Sequence, residues 1–291
     1  MALDYWVEFF DDLQNVKGRS KNTVQAYRRD LELYEEFKNR HKDISFIFEF
    51  LKKHNLSTRS QARVISSVRT YLKFLESKGE KVDDLRQLKP PKVKVNLPKV
   101  VSLTEYRKLH QACVVENKYK AARNQLTLLL LFGLGVRVTE LVGLNLTDFN
   151  ETDAWLKVLG KGGKERLIPL TDNLLNELNA YLQTARPELA GENEKSILVN
   201  DRGKRPSRVD VWRWLSAWSA SAGFEDTINP HRFRHGCATA LLEGGADLRS
   251  IQMLLGHSSL QTTQIYTSVS TKALKKQVNS HHPLGSGKKT D

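Results

Sequence analysis

Apolar residues recur every three or four positions through the first quarter of the chain, a spacing typical of amphipathic helices. The pattern predicts four helices, at 2–16, 20–39, 44–53 and 58–77. Ser20 is suited to cap the second helix, because a serine oxygen can accept from the free backbone N–H groups of a first turn. The inward positions of the first two helices are predicted to be Leu3, Trp6, Val7, Phe10, Leu13, Val24, Tyr27, Leu31, Tyr34 and Phe37.

The fourth predicted helix has two chemically different faces. Its apolar stripe consists of Val64, Val68, Tyr71, Leu72 and Leu75. The other face holds Arg59, Arg63, Ser66, Thr70 and Lys73. A face of basic and small polar residues suits contact with phosphate groups, and a plain solvated face is the alternative. Because Glu76 is the one acid in this helix, the phosphate interpretation is favoured.

The helical pattern stops at residues 89–100, which contain three prolines, four lysines and no acid. Proline favours an extended, stiff chain, so this segment is predicted to be a linker between two domains. The first domain would then span residues 1–88 and the second residues 101–283, followed by a flexible tail at 284–291.

The second domain is predicted to be mostly helical. Ser102 and Glu105 match a capping box that opens it, and helices follow to about Gly143. Two strands, 154–159 and 165–170, are joined by a glycine-rich hairpin. Further helices are predicted at 172–185, 207–222, 231–243, 247–254, 260–267 and 272–279. The fold class is therefore mainly α, with a four-helix N-terminal domain and a mixed, mostly helical second domain that contains a small antiparallel β-sheet.

Positive charge is concentrated in one segment of the 291-residue chain. The net charge is −2 over residues 1–50, +9 over 51–100 and +6 over 101–291, out of a total of +13. Such an excess favours a polyanionic partner, either nucleic acid or an anionic membrane surface. The most apolar stretch, 126–136, is about half of the roughly 20 residues that span a bilayer, so nucleic acid is favoured.

Several further features narrow the class of protein. The N-terminus is acidic and amphipathic and has no signal-peptide pattern, so the cytoplasm is the expected compartment. Cys113 and Cys237 form neither a metal cluster nor a disulfide framework, and both are expected to pack in the core. His231 and His235 have the spacing of zinc ligands on a helix, but nothing in the sequence completes the ligand set, so no metal is expected.

Taken as a set, six polar residues of the second domain are hard to explain by packing. Each alone has an ordinary explanation, as a surface charge or as a core side chain with a polar end. They are Arg137, Lys161, His231, Arg234, His257 and Tyr266. The motifs that contain them resemble those of the tyrosine recombinase (phage integrase) family. These motifs are GVRVTELVGL, LGKGGKERLIPL, HRFRHGCATALL and LLGHSSLQTTQIYT, with HHP near the end. The resemblance is close over residues 100–283 and looser over the N-terminal domain, which is similar to the family's core-DNA-binding domain.

Within that family the chain most resembles the bacterial Xer recombinases, in its length and in the stretch ADLRSIQMLLGH. Departures from the family's pattern are mild. Phe233 stands where leucine is usual, and Thr139 replaces a common serine. Ser268 follows Tyr266 at a position where histidine is frequent. None of these falls at a catalytic position, so they bear on the Xer subtype and its partner rather than on the chemistry.

The resemblance implies cleavage and rejoining of duplex DNA through a 3′-phosphotyrosyl bond to Tyr266. A tyrosine with a pKa near 10 is only about 0.1% ionised at pH 7, so it needs a base or a strongly positive site. The resemblance makes His231 the base, and makes Arg137 and Arg234 a clamp on the non-bridging phosphate oxygens. Arginine suits a clamp because its planar fork can bind two oxygens and stays charged.

The resemblance assigns two further roles. Lys161 would be the general acid for the leaving 5′-oxygen, and His257 would donate a hydrogen bond to the phosphate. Because two arginines supply the positive charge that a metal ion would otherwise bring, no cofactor is implied. Rejoining would need no ATP, since the phosphotyrosyl bond retains the energy of the cleaved bond.

The implied partners are double-stranded DNA and a second recombinase subunit, in a homo- or hetero-tetramer on two DNA sites. A DNA translocase that activates the enzyme is a further candidate. The expected role is the resolution of chromosome or plasmid dimers. A phage or mobile-element integrase with the same chemistry and a DNA-binding protein that has lost catalysis are the alternatives. DNA contacts are predicted at Arg59, Arg63, Lys73, Lys164, Arg166, Arg205 and Arg208.

Overall fold

The computed structural model describes residues 4–92, 99–160, 163–256, 277–282 and 284. The chain divides into two units, Met1–Leu97 and Pro98–Asp291, and each contains its own cluster of buried apolar side chains. The division lies inside the segment predicted as a linker, whose outer bounds of 89 and 100 stay a prediction.

Four helices form the first unit, each where the apolar spacing predicted one. They are α1 (Asp4–Asp11), α2 (Lys21–Arg40), α3 (Ile47–Lys53) and α4 (Thr58–Ser77). A π-helical turn, Asp12–Val16, extends α1, and a 3₁₀ turn, Ile44–Phe46, leads into α3. Ser20 caps α2 as predicted, because its hydroxyl oxygen accepts a hydrogen bond from the Thr23 amide.

The buried face of α1 differs from the predicted one at two described positions. Val7 is 76% exposed, whereas Phe9 is completely buried. The Phe9 ring packs against Tyr71 and Phe74 of α4, with ring centroids 5.1 and 5.3 Å apart. An aromatic ring offers more contact area than valine, so the helix turns its Phe9 side toward α4. The placement of Val7 in the core was therefore wrong, while the other described inward positions of α1 and α2 are buried or half-buried.

The second unit begins with a capped helix, α5 (Leu103–Ala112). The Ser102 hydroxyl accepts from the Glu105 amide, and the Glu105 carboxylate accepts from the Ser102 amide, so the predicted capping box is present. Helix α6 (Lys118–Gly133) follows and is buried along its whole second half. After a short loop, α7 (Val138–Gly143) ends the first group of helices.

A three-stranded antiparallel sheet comes next, in the order β1 (Phe149–Asn150), β2 (Trp155–Leu159) and β3 (Glu165–Pro169). Strands β2 and β3 pair with Leu159 opposite Glu165, so the glycine-rich hairpin leaves the sheet at this end. Both strands were predicted. Strand β1 was not, because two residues are too few to show an alternating pattern.

Helices make up most of the remaining described chain, as α8 (Asp172–Ala180), α9 (Arg186–Leu189), α10 (Arg208–Ser221), α11 (Pro230–Glu243) and α12 (Leu248–Leu255). A π-helical turn, Tyr181–Ala185, joins α8 to α9, so the helix predicted at 172–185 contains a widened turn. The predicted helix 260–267, and the part of the next one up to residue 276, lie outside the described residues. Residues 277–281 are helical.

Two simpler expectations concern the core. Cys113 and Cys237 are buried and free of disulfides, as predicted. Among the described residues no helix combines the length and apolar character needed to cross a bilayer, and the apolar stretch 126–136 is buried within the second unit. The predicted fold class, mainly α with a small antiparallel sheet, is confirmed.

Candidate active site

Arg137 stands at the start of α7, just after the apolar helix α6 has ended. The chain turns at Gly135, whose φ of +58° lies in the left-handed region that glycine adopts without strain. Arg137 is the N-cap of α7, and its backbone N–H and its guanidinium both donate to Glu140 over 2.8 Å. These two bonds fix the main chain and one edge of the guanidinium, while the side chain remains 35% exposed.

Glu140 is buried and accepts four hydrogen bonds. Two come from Arg137, and two come from Arg166 of β3, whose Nη1 and Nη2 lie 3.0 and 2.8 Å from the two carboxylate oxygens. Burial raises the pKa of Glu140, but the hydrogen bonds and charge of Arg166, and then those of Arg137, hold it below its usual value. The carboxylate is therefore ionised at neutral pH and joins the two arginines.

Arg166 also contacts the end of α12. Its Nε donates to the main-chain carbonyl of Leu254 over 2.9 Å. The helix ends at Gly256, which has a φ of +66°, and a side chain there would come within 3.2 Å of the Arg166 Cδ and Nη1 atoms. The absence of a side chain at Gly256 lets the end of α12 lie directly against the arginine. In sequence, Gly256 immediately precedes His257.

Helix α11 places His231 and Arg234 on one face, because three residues make nearly one helical turn. Asn229 caps the helix by accepting from the Arg232 amide, and Pro230 occupies the first helical position, where its missing N–H has no cost. The His231 side chain is exposed, so its imidazole is accessible to a substrate. Arg234 is buried at the same face.

Arg234 joins the loop before Arg137 to the end of α12. Its Nη1 donates to the Gly135 carbonyl over 2.8 Å, and its Nη2 donates to the Leu255 carbonyl. Burial, together with the positive charge of Arg137, lowers the pKa of Arg234 to about 10. The guanidinium nevertheless stays charged at neutral pH, because its pKa is still well above 7.

Positive charge exceeds negative charge in this cluster. Arg137, Arg166 and Arg234 carry three positive charges against the single negative charge of Glu140, which leaves a net charge of +2. A cluster of this sign and geometry favours an anion with several oxygens, such as a phosphodiester. Within the part of the chain that the structure describes, no group of His, Cys, Asp or Glu side chains is arranged to hold a metal ion.

Helix α11 is also attached to the beginning of the second unit. The Val101 amide donates to the Arg232 carbonyl over 3.2 Å, and the Arg232 guanidinium donates to Glu105 over 3.0 Å. At Gly236 a side chain would come within 2.3 Å of the Val101 carbonyl oxygen, so glycine permits this close approach. The segment that leads out of the predicted linker is therefore held against the helix of His231 and Arg234.

Only part of the predicted catalytic set falls within the described residues. Lys161, His257 and Tyr266 lie outside them, and their placement stays a prediction. The structure connects Arg137 to Arg234 through main-chain and side-chain hydrogen bonds, and it places His231 one turn from Arg234. The catalytic roles of all six residues remain predictions.

The predicted DNA contacts of the first unit are exposed on α4. Arg59 and Lys73 face solvent, and so does Arg63, although its Nη1 also donates to the buried Asp30 over 2.5 Å. Lys73 lines an open cleft of about 610 Å³ together with three acids, Glu8, Asp11 and Asp12, and two further lysines, Lys17 and Lys78. Two of the acids are paired with these lysines, so the other charged residues of the cleft leave a net charge of −1 beside Lys73. Arg59 does not line this cleft.

Three predicted DNA contacts of the second unit are exposed as well. They are Lys164, Arg205 and Arg208. The Arg205 guanidinium also donates to the Val142 carbonyl over 2.7 Å and to the Asn145 side chain over 2.5 Å. One edge of this arginine is therefore occupied by the protein, so any phosphate contact would use its remaining edge.

Arg166, one of the predicted DNA contacts, is buried in the structure, unlike the others. The residue is 6% exposed, and its guanidinium is bound to Glu140 and to the Leu254 carbonyl. Its position in a hairpin with exposed neighbours, Lys164 and Glu165, made it look like another surface charge. Strand β3 is buried at Arg166, Ile168 and Pro169, and the residues ERLIP show no alternation of apolar and polar positions that would indicate this face.

Glu140 is a residue of the site that was not predicted. A signal for it was present, since the acid lies three residues after Arg137 at a helix start, the spacing of a capping box. The motif around Arg137 was interpreted for the arginine alone. The structure shows that the acid binds the arginine's main chain and side chain together.

Comparison with known proteins identifies the family. The model of the "Phage integrase family" matches residues 99–273, and that of the "Phage integrase, N-terminal SAM-like domain" matches residues 7–79. The tyrosine recombinase XerD of Staphylococcus epidermidis is 36% identical over 288 residues, which cover 95% of this chain and 97% of that protein. The chain therefore belongs to the phage integrase family. The resemblance drawn from its motifs, and the enzyme class of tyrosine-type site-specific DNA recombinase, are confirmed.

Solved structures share the fold. The XerH site-specific recombinase bound to a palindromic difH substrate, in a post-cleavage complex, has a TM-score of 0.67 and 22% identity, covering 87% of this chain and 78% of that chain. A lambda integrase tetramer bound to a Holliday junction has a TM-score of 0.65 and 19% identity, covering 90% of this chain and 80% of that chain. At these identities the likeness concerns the fold alone.

Proposed function

We propose that this chain binds duplex DNA at a specific site and exchanges strands through a covalent bond to Tyr266. The observation that carries the proposal is the cluster of Arg137, Arg234 and their shared partners, which has a net positive charge and lies beside the exposed His231. The structures of the two relatives described above hold DNA substrates, one in a post-cleavage state and one as a junction. Family membership and a phosphate-binding cluster thus support the same substrate class.

In the proposed cleavage step, the Tyr266 phenolic oxygen attacks a phosphorus atom of the DNA backbone. A 3′-phosphotyrosyl bond forms as the bond from phosphorus to the 5′-oxygen breaks. His231 accepts the proton of the phenol, and Lys161 donates a proton to the leaving 5′-oxygen. Atoms and charge balance without a cofactor, and the reverse sequence with a new 5′-hydroxyl rejoins the strand. His257 donates a hydrogen bond to the phosphate during both steps.

Arg137 and Arg234 stabilise the charge that develops on the two non-bridging oxygens. Donors held in place before the reaction act more strongly than mobile ones, because they need not reorganise in the transition state. Both arginines fit this requirement: Arg137 is held by Glu140, and Arg234 by the carbonyls of Gly135 and Leu255. The elements that position them are the α6–α7 loop, the end of α12 and α11.

For the biological role we propose resolution of chromosome or plasmid dimers, which the 36% identity to a tyrosine recombinase XerD over nearly the whole chain favours. The enzyme would act in the cytoplasm as a homo- or hetero-tetramer on two DNA sites, with a DNA translocase as a candidate activator. Integration of a phage or mobile element is the second candidate, which the family description and the lambda integrase fold likeness favour. A binding footprint on the organism's own genome separates the two: a site away from any mobile element favours resolution, and a site at the ends of an inserted element favours integration.

The chemistry is tested with a nicked duplex that carries the site selected by the wild-type chain from its own genomic DNA. After cleavage next to the nick a short fragment diffuses away, so the enzyme remains covalently trapped. Wild-type protein should form an adduct that survives a denaturing gel, and Tyr266→Phe should bind the duplex equally well but form none. Tyr119→Phe, a tyrosine of α6 outside the site, is the matched control and should form the adduct. An adduct with Tyr266→Phe, or none with wild type, would overturn the proposal.

A further inference from the structure

Arg166 has no role in the mechanism proposed above, yet it contacts two of the elements that form the site. It extends from β3, binds both oxygens of Glu140 at the start of α7, and donates to the Leu254 carbonyl in the last turn of α12. The next carbonyl of the same turn, that of Leu255, accepts from Arg234. Two arginines thus hold adjacent carbonyls at the end of one helix.

These contacts form a continuous path between the two clamp arginines. On one side, Arg166 holds Glu140, which holds the amide and guanidinium of Arg137. On the other side, Arg166 holds the last turn of α12, which accepts from Arg234. We propose that Arg166 is a positioning residue for strand cleavage, which holds the guanidinium groups of Arg137 and Arg234 in a fixed position relative to each other. This inference rests on the proposed function, because it assigns both arginines to the phosphate.

Stability alone does not account for an arginine at this position. The side chains of Arg166 and Glu140 are 6% and 2% exposed. The cost of removing both charges from water offsets much of their attraction, so well-packed apolar residues often stabilise such a site equally well. What apolar residues cannot supply is directional bonding to three acceptors at once. Only a planar guanidinium can donate from Nη1, Nη2 and Nε in fixed directions, whereas lysine has one mobile ammonium group.

The glycines around Arg166 support the same interpretation. A side chain at Gly256 would press on the arginine's Cδ, Nε and Nη1 at 3.2–3.3 Å, and one at Gly160 would lie 3.6 Å from Nη1. The backbone of α12's end and the base of the β2–β3 hairpin therefore both approach the guanidinium closely. Displacing the arginine would move the surfaces against which these two segments rest.

The test compares Arg166→Lys with Arg123→Lys. Arg123 is a matched control because it is also a buried arginine that pairs with one acid, Asp201, over 2.8 Å, but it has no contact with the clamp. Both variants keep the positive charge. Each is measured, at a temperature where circular dichroism shows it folded, for affinity to the selected duplex and for single-turnover cleavage of the nicked duplex. If Arg166→Lys is not folded, Arg166→Gln replaces it.

Arg166→Lys should lower the cleavage rate on the order of 10–100-fold, as a small misplacement of reacting groups does, with affinity within about threefold of wild type. Arg123→Lys should cleave at nearly the wild-type rate. Because Arg166 acts by holding Arg137 and Arg234 relative to each other, most of its effect should disappear once Arg137 is removed, so Arg166→Lys combined with Arg137→Ala should be hardly slower than Arg137→Ala alone. A wild-type rate for Arg166→Lys, an equal loss in Arg123→Lys, or independent effects in the double variant would overturn the proposal. In each case the adduct formed by wild type would still support the proposed function.

Discussion

Arg234 donates a 2.8 Å hydrogen bond to the main-chain carbonyl of Gly135, two residues before Arg137. The bond joins residues 99 positions apart in the chain, and it links the helix that carries His231 directly to the loop that presents Arg137. Each arginine of the proposed clamp thus helps to determine where the other lies. The positive pair is assembled by the fold before any substrate binds.

The clamp predicts a specific kinetic defect. Arg137→Ala and Arg234→Ala should each lower single-turnover cleavage of the nicked duplex by about 10²–10³-fold, which is the usual effect of removing one preorganised charge donor. Arg234→Ala also removes a buried side chain, so part of its effect could come from folding. Arg186→Ala is the matched control, since Arg186 donates to the main-chain carbonyls of Ser196 and Glu194 away from the clamp. It should lose stability but keep the cleavage rate, and clamp variants within about threefold of wild type would contradict the assignment.

Lys161 can be tested by changing the leaving group. If Lys161 protonates the 5′-oxygen, a substrate with sulfur at that bridging position should not need the proton, because a thiolate leaves readily. Lys161→Ala should therefore cleave the sulfur substrate nearly as fast as wild type and fail on the oxygen substrate. Lys164→Ala, the exposed lysine at the other end of the hairpin, should keep the wild-type ratio between the two substrates, because loss of a DNA contact slows both equally. Equal defects of Lys161→Ala on the two substrates would make Lys164 the next candidate.

Gly135 should be intolerant of a side chain for two separate reasons. Its φ of +58° costs a non-glycine residue about 1 kcal/mol. An added Cβ would also lie 2.5 Å from the Leu255 side chain and 3.1 Å from the Cys237 sulfur, and such overpacking costs about 1–3 kcal/mol more. Gly135→Ala should lower the free energy of unfolding in urea by about 2–4 kcal/mol. Gly223→Ala has a similar φ of +75° with open space, so it should cost only about 1 kcal/mol. Equal losses would refute the packing argument.

Stability should fall in mild acid because of His282. The ring is buried against Phe132, with centroids 5.9 Å apart, and its Nε2 lies 3.9 Å from the Cys237 sulfur. Burial lowers the pKa of His282 to about 4 from an ordinary 6.5. His282 is therefore protonated at a lower pH in the folded state than in the unfolded state. The contribution to stability is complete above about pH 6.5 and is lost as the pH falls toward 4.

Between pH 7.5 and pH 5 this loss should be of the order of 1–2 kcal/mol, from the linkage of one proton. Urea unfolding at the two pH values measures it, and His282→Gln should show a smaller difference between them. His110→Gln is a suitable comparison, because burial also lowers the pKa of His110. A pH dependence unchanged by His282→Gln would show that other groups cause it.

Much of the fold could be predicted because local signals and packing agree. The Ser102 capping box and the Thr58–Ser77 helix lie where the sequence placed them, since capping and apolar spacing act within a few residues. Val7 and Phe9 show where such signals stop. Both are apolar and both belong to α1, and only the rings of Tyr71 and Phe74, more than 60 residues away, decide which one is buried.

The residues of the site also fall into those that local motifs identify and those that only the fold brings together. Arg137 and Arg234 could be found because each stands in a motif with a known chemical purpose. Glu140 and Arg166 could not be paired from the sequence, because their hydrogen bonds join positions 26 residues apart on different elements. The predicted DNA contact at Arg166 assumed an exposed side chain, whereas the structure buries it. A charged side chain is buried only where the fold brings a partner of opposite charge to it, and the sequence around one arginine does not contain that information.

The distribution of charge predicts how DNA binding depends on salt. A protein that neutralises six to ten phosphates should lose roughly 10³–10⁵ in affinity between about 50 and 200 mM salt, because bound DNA releases its counterions. Each lysine or arginine that contacts a phosphate contributes about one unit to the slope of log Kd against log salt. Arg59→Gln should therefore lower the slope by about one and weaken binding equally to specific and unrelated duplexes.

Lys73→Gln should have a smaller effect than Arg59→Gln, because the other charged residues that line its cleft carry a net charge of −1, which weakens the positive potential at Lys73; they are Glu8, Asp11, Asp12, Lys17 and Lys78. Lys53→Gln is the matched control in the same unit, since Lys53 is also exposed but is paired with Glu49 over 3.0 Å on α3. It should leave the slope unchanged. Filter binding or fluorescence anisotropy at four or more salt concentrations gives the three slopes. If Arg59→Gln and Lys53→Gln shifted the slope equally, the basic face of α4 would be an ordinary solvated surface, and the +9 charge of residues 51–100 would need another explanation.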